Sequence, residues 1–377
     1  MNKDHINIKE YTIVWMFAAV CLCMLAGYIM LPQRDFSDME NRYLQKRPQI
    51  SLGSLADGSF MESFETYTNE QIPLRDLFVK CKAVFVWATG SSENDGIAKG
   101  ADSYLFDKVN ATSDQLYKNI AAIKNFASST NRDIYVCVAP TSTWVNAARL
   151  PKGMPVLDEV SANNELTLAL KDIDNAHMIY LYERLSEHAD EQLYYRTDHH
   201  WTTKGAGYAY EAIADKMGFE RKDITQYTRH VADDFYGTHY AKYKGIFVEP
   251  DSIEYYDVPI LGLVLEKRTV DNLIDKEKLS GYDKYAAFMY GNDGMYKVDA
   301  AKGEGRDLIV LKDSYANCLI PYLVMNYDSI TCIDLRYFGG SVEDVLASDE
   351  DADVLLMYNW TFVNDDNHFY KLVSPAK

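Results

Sequence analysis

The sequence is poor in histidine, cysteine and proline, with eight, six and ten copies in 377 residues. It contains no Cys-x-x-Cys pair, and no cysteine spacing fits a zinc site. Cys21 and Cys23 lie in an apolar N-terminal run, Cys137 and Cys332 in apolar segments that read as buried strands, and Cys81 and Cys318 in expected helices. Buried free thiols are the expectation, with a disulfide between two of them left open. Positive charge is scarce too: 38 Lys and Arg against 56 Asp and Glu give a net charge of −18. The basic residues are scattered, so nucleic acid is not an expected partner, because phosphate binding needs a basic face. Internal repeats and low-complexity tracts are absent.

What is present is a globular composition, 47% hydrophobic and 25% charged, with 29 tyrosines. A flat apolar ring with a hydroxyl suits carbohydrate or interface surfaces as well as core edges. One long apolar run occurs: "YTIVWMFAAVCLCMLAGYIML", residues 11–31, is uncharged and long enough to cross a bilayer as a helix. Its length, and the lack of a cleavage pattern, favour an uncleaved anchor over a removed leader. Lys3 and Lys9 precede it, and Arg34, Arg42, Lys46 and Arg47 follow, so the positive-inside count alone favours a cytoplasmic C-terminal domain. The expected organisation is a tail at 1–10, an anchor at 11–31, a polar stalk at 32–59 and an α/β domain at 60–377.

Within that domain, apolar spacing from Phe60 to Val86 is helical, with Pro73 starting a second helix. "GIAKGADSYLF" (96–106) reads as a small hairpin, and Thr112 or Ser113 as the cap of a helix reaching Ser128. "RDIYVCVAP" (132–140), "RDLIVLK" (306–312) and "ADVLLMYNW" (352–360) have the continuous apolar character of strands covered on both faces. A helix is expected near 161–173 and a strand at 177–182. Thr202 is a good N-cap for a helix over 203–217, closed by Gly218. Residues 219–304 read as a loop-rich, Tyr-rich insertion. Strands alternating with helices predict a three-layer α/β domain with a mostly parallel sheet.

Two constellations carry chemistry. "RTDHHWTTKGAG" (196–207) places two of the eight histidines behind Asp198. In an extended stretch Asp198 and His200 point to one side and His199 to the other. Asp198 can then hold one ring nitrogen of His200 and leave the other free as a base, with the following helix N-terminus disfavouring imidazolium. "DLIVLKDSYANC" (307–318) puts Ser314 at a strand-to-helix turn, at the carboxyl edge where open α/β sheets bind ligands. First-turn amides there can stabilise an oxyanion. A serine hydroxyl needs a base, so the two constellations together point to a Ser-His-Asp arrangement of Ser314, His200 and Asp198. No metal or other cofactor is expected.

"DHHW" (198–201) with a downstream "KDSY" (312–315) resembles the DHHW proteins, relatives of alginate O-acetyltransferase proteins with an SGNH-hydrolase-like domain. "ENRYLQKRP" (40–48), "GIAKGADSYLF" and "DLRYF" (334–338) also look like family stretches. The resemblance implies Asp198 and His200 as the Asp-x-His pair and Ser314 as nucleophile, in a circularly permuted order with Asp-His before Ser. Lys312 stands where ordinary SGNH enzymes carry glycine. Arg336 and Asn359, at the ends of the next strands, are candidate substrate and oxyanion contacts, together with Tyr315 and Trp201. The family works outside the cytoplasmic membrane. An external, single-pass membrane protein is therefore implied against the charge count, with a polysaccharide acceptor and a membrane-bound O-acyltransferase as acetyl supplier. An esterase or deacetylase using the same triad, a non-catalytic polysaccharide-binding or assembly protein, and a "DHH" metallophosphoesterase are the alternatives. The last lacks further metal motifs, because His230, His239 and His368 are dispersed in sequence.

Overall fold

Successive residues on a strand face opposite sides of a sheet, so a strand apolar at every position has two faces to bury. Ile134, Val136 and Val138 join one core together with Ile309, Leu311, Val354 and Leu356. Cys137, Ala139, Val310, Leu355 and Met357 belong to a second core on the other face. These alternations produce the central sheet of the computed structural model, which describes residues 8–37, 42–109 and 111–373. Residues 1–7 of the expected tail, and the start of "ENRYLQKRP", lie outside the described residues.

The chain divides into two units, one reaching Gly90 and including 244–246, the other formed by 91–243 and 247 onwards. In the first, a helix over Ile8–Met30 contains the stretch Tyr11–Met30, long and apolar enough to cross a membrane. Helices over Ser59–Glu70 and Arg75–Ala88 flank Pro73.

The main sheet of the second unit has eight strands among the described residues: β1 (Ile134–Ala139), β2 (Ala176–Ile179), β3 (Ile260–Val264), β4 (Thr269–Val270), β5 (Met295–Ala300), β6 (Asp307–Lys312), β7 (Ser329–Ile333) and β8 (Asp353–Asn359). Their order is β4-β3-β5-β7-β6-β8-β1-β2. The five strands from β7 to β2 run parallel, whereas β4, β3 and β5 are antiparallel. The segment read as a loop-rich insertion therefore supplies three strands to the main sheet. On one face pack helices α1 (Asp114–Ser128) and α2 (Glu159–Leu170); on the other, α3 (Thr203–Met217).

Local chemistry sets the ends. The Ser113 hydroxyl caps α1 by accepting from the Leu116 N–H, and Thr202 caps α3 by accepting from Gly205. Gly218 ends α3 at φ 73°, a left-handed position that glycine adopts without strain. The expected hairpin forms, pairing Ile97–Lys99 with Leu105–Asp107, and a short third strand joins it. All six cysteines are free thiols, and Cys137, Cys318 and Cys332 are buried.

Candidate active site

The DHHW segment is a tight loop, not an extended strand. Tyr194 bridges Trp201 across it, and Thr202 N–H donates to the Leu193 carbonyl at 2.8 Å. Buried Asp251 anchors the loop by accepting from the N–H of Arg196 at 3.0 Å and the N–H and hydroxyl of Thr197 at 2.8 and 2.7 Å. At the tip, Asp198 Oδ1 accepts from the His200 N–H at 3.0 Å and from His200 Nδ1 at 2.6 Å. This local turn, rather than strand alternation, puts Asp198 and His200 on one side.

A carboxylate only accepts, so Nδ1 of His200 carries the proton and Nε2 is the acceptor. Nε2 lies 2.7 Å from Ser314 Oγ. The imidazole is clamped flat. Tyr285 stacks on it at 3.6 Å with an 8° tilt, and the ring of His199 lies at 3.8 Å. The Tyr285 hydroxyl also donates to the Ser314 carbonyl at 3.0 Å, tying base and serine to one residue.

Asp198 Oδ2 accepts from the Thr238 N–H at 2.7 Å and hydroxyl at 2.9 Å, so both carboxylate oxygens are fully used. Burial would raise its pKa, but the imidazoles of His199 and His200 and the hydrogen bonds hold it well below the ordinary value. Gly237 sits against this carboxylate, and a Cβ there would overlap it. Asp198, His199 and His200 also have donor atoms within 4.8 Å of one another, close enough to hold an ion. The bonds already made by Asp198 compete directly with ligation.

Ser314 follows β6 at the carboxyl edge, as expected. The helix it opens is a short 3-10 turn over Ser314–Cys318, which supplies little dipole. Buried Asp313 organises the edge. It accepts from the Tyr315 N–H at 2.8 Å and from both the backbone and side-chain N–H of Asn359 at 2.7 Å, joining the ends of β6 and β8. Burial outweighs these bonds and raises the pKa of Asp313. The Tyr315 amide is thereby occupied, which removes it from the expected oxyanion donors.

A cavity of about 380 Å³ opens over Ser314 and includes Tyr315, His199, His239, Asp107, Arg336, Asn359 and Thr141–Thr143 in its lining. Arg336 reaches it while holding buried Asp334 in a two-pronged pair at 2.9 and 2.6 Å; its Nη1 makes no hydrogen bond among the described residues. Trp201 does not reach the cavity: fully buried, it donates to the Tyr315 carbonyl at 2.9 Å and braces the serine turn. The Tyr315 hydroxyl donates to the His199 carbonyl, cross-linking the two constellations. Lys312 is buried outside the cavity, with Nζ on Asn317 Oδ1 at 2.5 Å.

Two expectations about histidines are corrected. His199 does not point away from His200 but lies beside it on the cavity wall. His239 is not remote: it lines the same cavity, with Nε2 3.0 Å from Asp107. Thr238, His239 and Tyr285 all come from the supposed insertion. The cluster "FYGTHY" (235–240) was the available sign, a glycine followed by hydroxyl and imidazole.

The sequence profile of the DHHW protein family matches residues 101–333, more than half of the chain. The chain belongs to the DHHW family. A DHHW family protein from Eubacterium siraeum shares the fold at 21% identity, over 76% of this chain and 97% of that one, with a TM-score of 0.63. PatB1 from Bacillus cereus, solved with a sulfonyl adduct, matches at 20% identity over 74% of this chain and 98% of its own, with a TM-score of 0.60. The O-acetyltransferase domain of Pseudomonas putida AlgJ matches more weakly, at 16% identity over 72% and 93%, with a TM-score of 0.44. No curated protein gives a match to this DHHW chain.

Proposed function

We propose that this DHHW protein is an O-acetyltransferase that modifies a polysaccharide through an acyl-serine intermediate. The observation that carries the reading is the 2.7 Å contact between His200 Nε2 and Ser314 Oγ at the floor of an open cavity. The resemblance of the DHHW and KDSY motifs to relatives of alginate O-acetyltransferase proteins, which implies acetyl transfer to polysaccharide, supports the same reading. The Asp-His-before-Ser order reads as a permuted SGNH arrangement.

In the first half-reaction Ser314 Oγ attacks the donor's carbonyl carbon while its proton passes to His200 Nε2. Asp198, on Nδ1, stabilises the imidazolium. Oxyanion donors are the Ser314 N–H and the second Nδ2 hydrogen of Asn359, whose first is on Asp313. The leaving group takes the proton from His200. In the second half-reaction an acceptor hydroxyl gives its proton to His200, its oxygen takes the acetyl, and Ser314 Oγ is reprotonated. Arg336 Nη1 contacts the substrate.

Water can replace the acceptor, so an esterase with the same triad remains the second reading, favoured by the openness of the site to solvent at Ser314 and His199. The N-terminal helix anchors the domain on the outer side of the membrane, where a membrane-bound O-acyltransferase supplies acetyl. A reporter fused at the C-terminus and active only in the cytosol would contradict that placement.

The test is mass spectrometry after brief exposure to 4-nitrophenyl acetate. Acetyl on Ser314, removed faster by added glycan than by water, supports transfer. Removal at one rate in both supports the esterase, and absence of acetyl on Ser314 removes both readings.

A further inference from the structure

His199 is held by its inner nitrogen. Nδ1 lies 2.6 Å from the Thr238 hydroxyl, which itself lies 2.9 Å from Asp198 Oδ2. Asp198 is an ionised carboxylate whose pKa is held low, so it cannot donate, and the Thr238 hydroxyl proton must point to it. That hydroxyl then has only lone pairs for His199, so Nδ1 of His199 carries a proton. The chain runs Nδ1–H to Thr238, Thr238 O–H to Asp198.

The consequence falls on the other nitrogen. Nε2 of His199 is unprotonated in the neutral ring, makes no hydrogen bond among the described residues, and belongs to a side chain that is 37% exposed on the cavity wall. Partial burial and the adjoining imidazole of His200 push the His199 pKa below the ordinary histidine value, which keeps the ring neutral. The groups facing it are His200, Asp198, His239 and Asp107. The cavity wall therefore offers a free imidazole acceptor at His199, with its ring centre 3.8 Å from that of buried His200. Only His200 touches Ser314.

We infer that His199 Nε2 is the acceptor-positioning group. It accepts a hydrogen bond from the sugar hydroxyl next to the one being acetylated, and so selects acceptors with two neighbouring hydroxyls. The inference rests on the acyl-transfer reading above. The reacting hydroxyl passes its proton to His200 and takes the acetyl from Ser314. The neighbouring hydroxyl keeps its proton and only orients the ring. Water has no second hydroxyl to place, so the contact favours transfer over hydrolysis.

The experiment uses the full-length chain in detergent, 4-nitrophenyl acetate as donor, and methyl glucopyranoside or its monodeoxy derivatives as acceptors. The readout is the ratio of acetylated glycoside to free acetate. Loss of one neutral hydrogen bond predicts that the wild type prefers the intact glycoside over the derivative lacking the neighbouring hydroxyl by about 5- to 10-fold. His199→Phe should erase that preference, and His199→Gln, which keeps an acceptor, should restore part of it. Equal use of all acceptors by the wild type, or an undiminished preference in His199→Phe, overturns the inference. Formation of acetyl-Ser314 in each variant reports folding and keeps this outcome separate from failure of the nucleophile. Acetyl-Ser314 that never transfers to any glycoside overturns both this inference and the transferase reading.

Discussion

Two Asp-His pairs stand close to one cavity and are built differently: Asp198 and His200 are buried and meet it through Ser314, whereas Asp107 and His239 line it. In the first, Asp198 holds Nδ1 of His200 and leaves Nε2 on Ser314 Oγ. In the second, Asp107 takes Nε2 of His239, and the buried Nδ1 has no hydrogen-bond partner among the described residues. The carboxylates differ as well. Asp198 is buried and saturated by four hydrogen bonds, whereas the Asp107 side chain is 34% exposed and shared with Lys242 at 3.6 Å. An Asp-His contact is therefore not by itself a base. What distinguishes the first pair is which nitrogen the carboxylate occupies, and whether the free one meets a hydroxyl.

Substitutions can break this contrast. The largest effect is expected for Ser314→Ala, which should lower kcat/KM on a chromogenic acetate by roughly 10³- to 10⁶-fold. Asp198→Asn should cost about 10³- to 10⁴-fold, because an amide that donates to Nδ1 inverts the tautomer of His200. Both should leave the fold intact by circular dichroism. Gly237→Ala pushes a methyl group into Asp198 and should destabilise by about 1–3 kcal/mol in urea melts, with lowered kcat.

The smallest effect belongs to the second pair, and its size is pH-dependent. Burial lowers the His239 pKa, but Asp107 outweighs it and the net shift is upward. A raised histidine pKa stabilises fully below the unfolded value of about 6.5, and the contribution is lost as pH rises through the folded value. Asp107 is depressed in turn, by His239 and Lys242 against burial, so its contribution holds above about pH 4. Asp107→Asn should therefore destabilise between these limits and progressively less toward pH 9. The effect is about 1 kcal/mol after allowance for exposure. A pH-independent loss in chemical denaturation would show that the pair is not charged.

The elements written most clearly in the sequence were those with local causes. Thr202 and Gly218 bound α3 because both caps act within one turn. Continuous apolar runs marked β1, β6 and β8 because those strands are buried on both faces. Asp198, His200 and Ser314 could be paired from chemistry alone, although 114 residues separate the last two. Long-range placement was not legible. Strand alternation would put His199 opposite His200, but the Asp198 turn replaces the extended strand and brings the two rings together. The polar segment 219–304 hid three sheet strands, the Thr238 hydroxyl and the Tyr285 ring, whose roles depend on contacts with distant residues. Trp201, an expected substrate contact, is buried away from the cavity and braces the serine turn, whereas Tyr315 lines the cavity while its hydroxyl ties the turn to the histidine loop.

The most direct test of the activated serine is labelling by an aryl sulfonyl fluoride, read by peptide mass spectrometry on the wild type and on His200→Ala. The account predicts one sulfonyl group, on Ser314, in the wild type, and labelling slowed to the background rate of an ordinary serine in the variant. Equal labelling of Ser314 in both proteins, or modification at another residue alone, would contradict it.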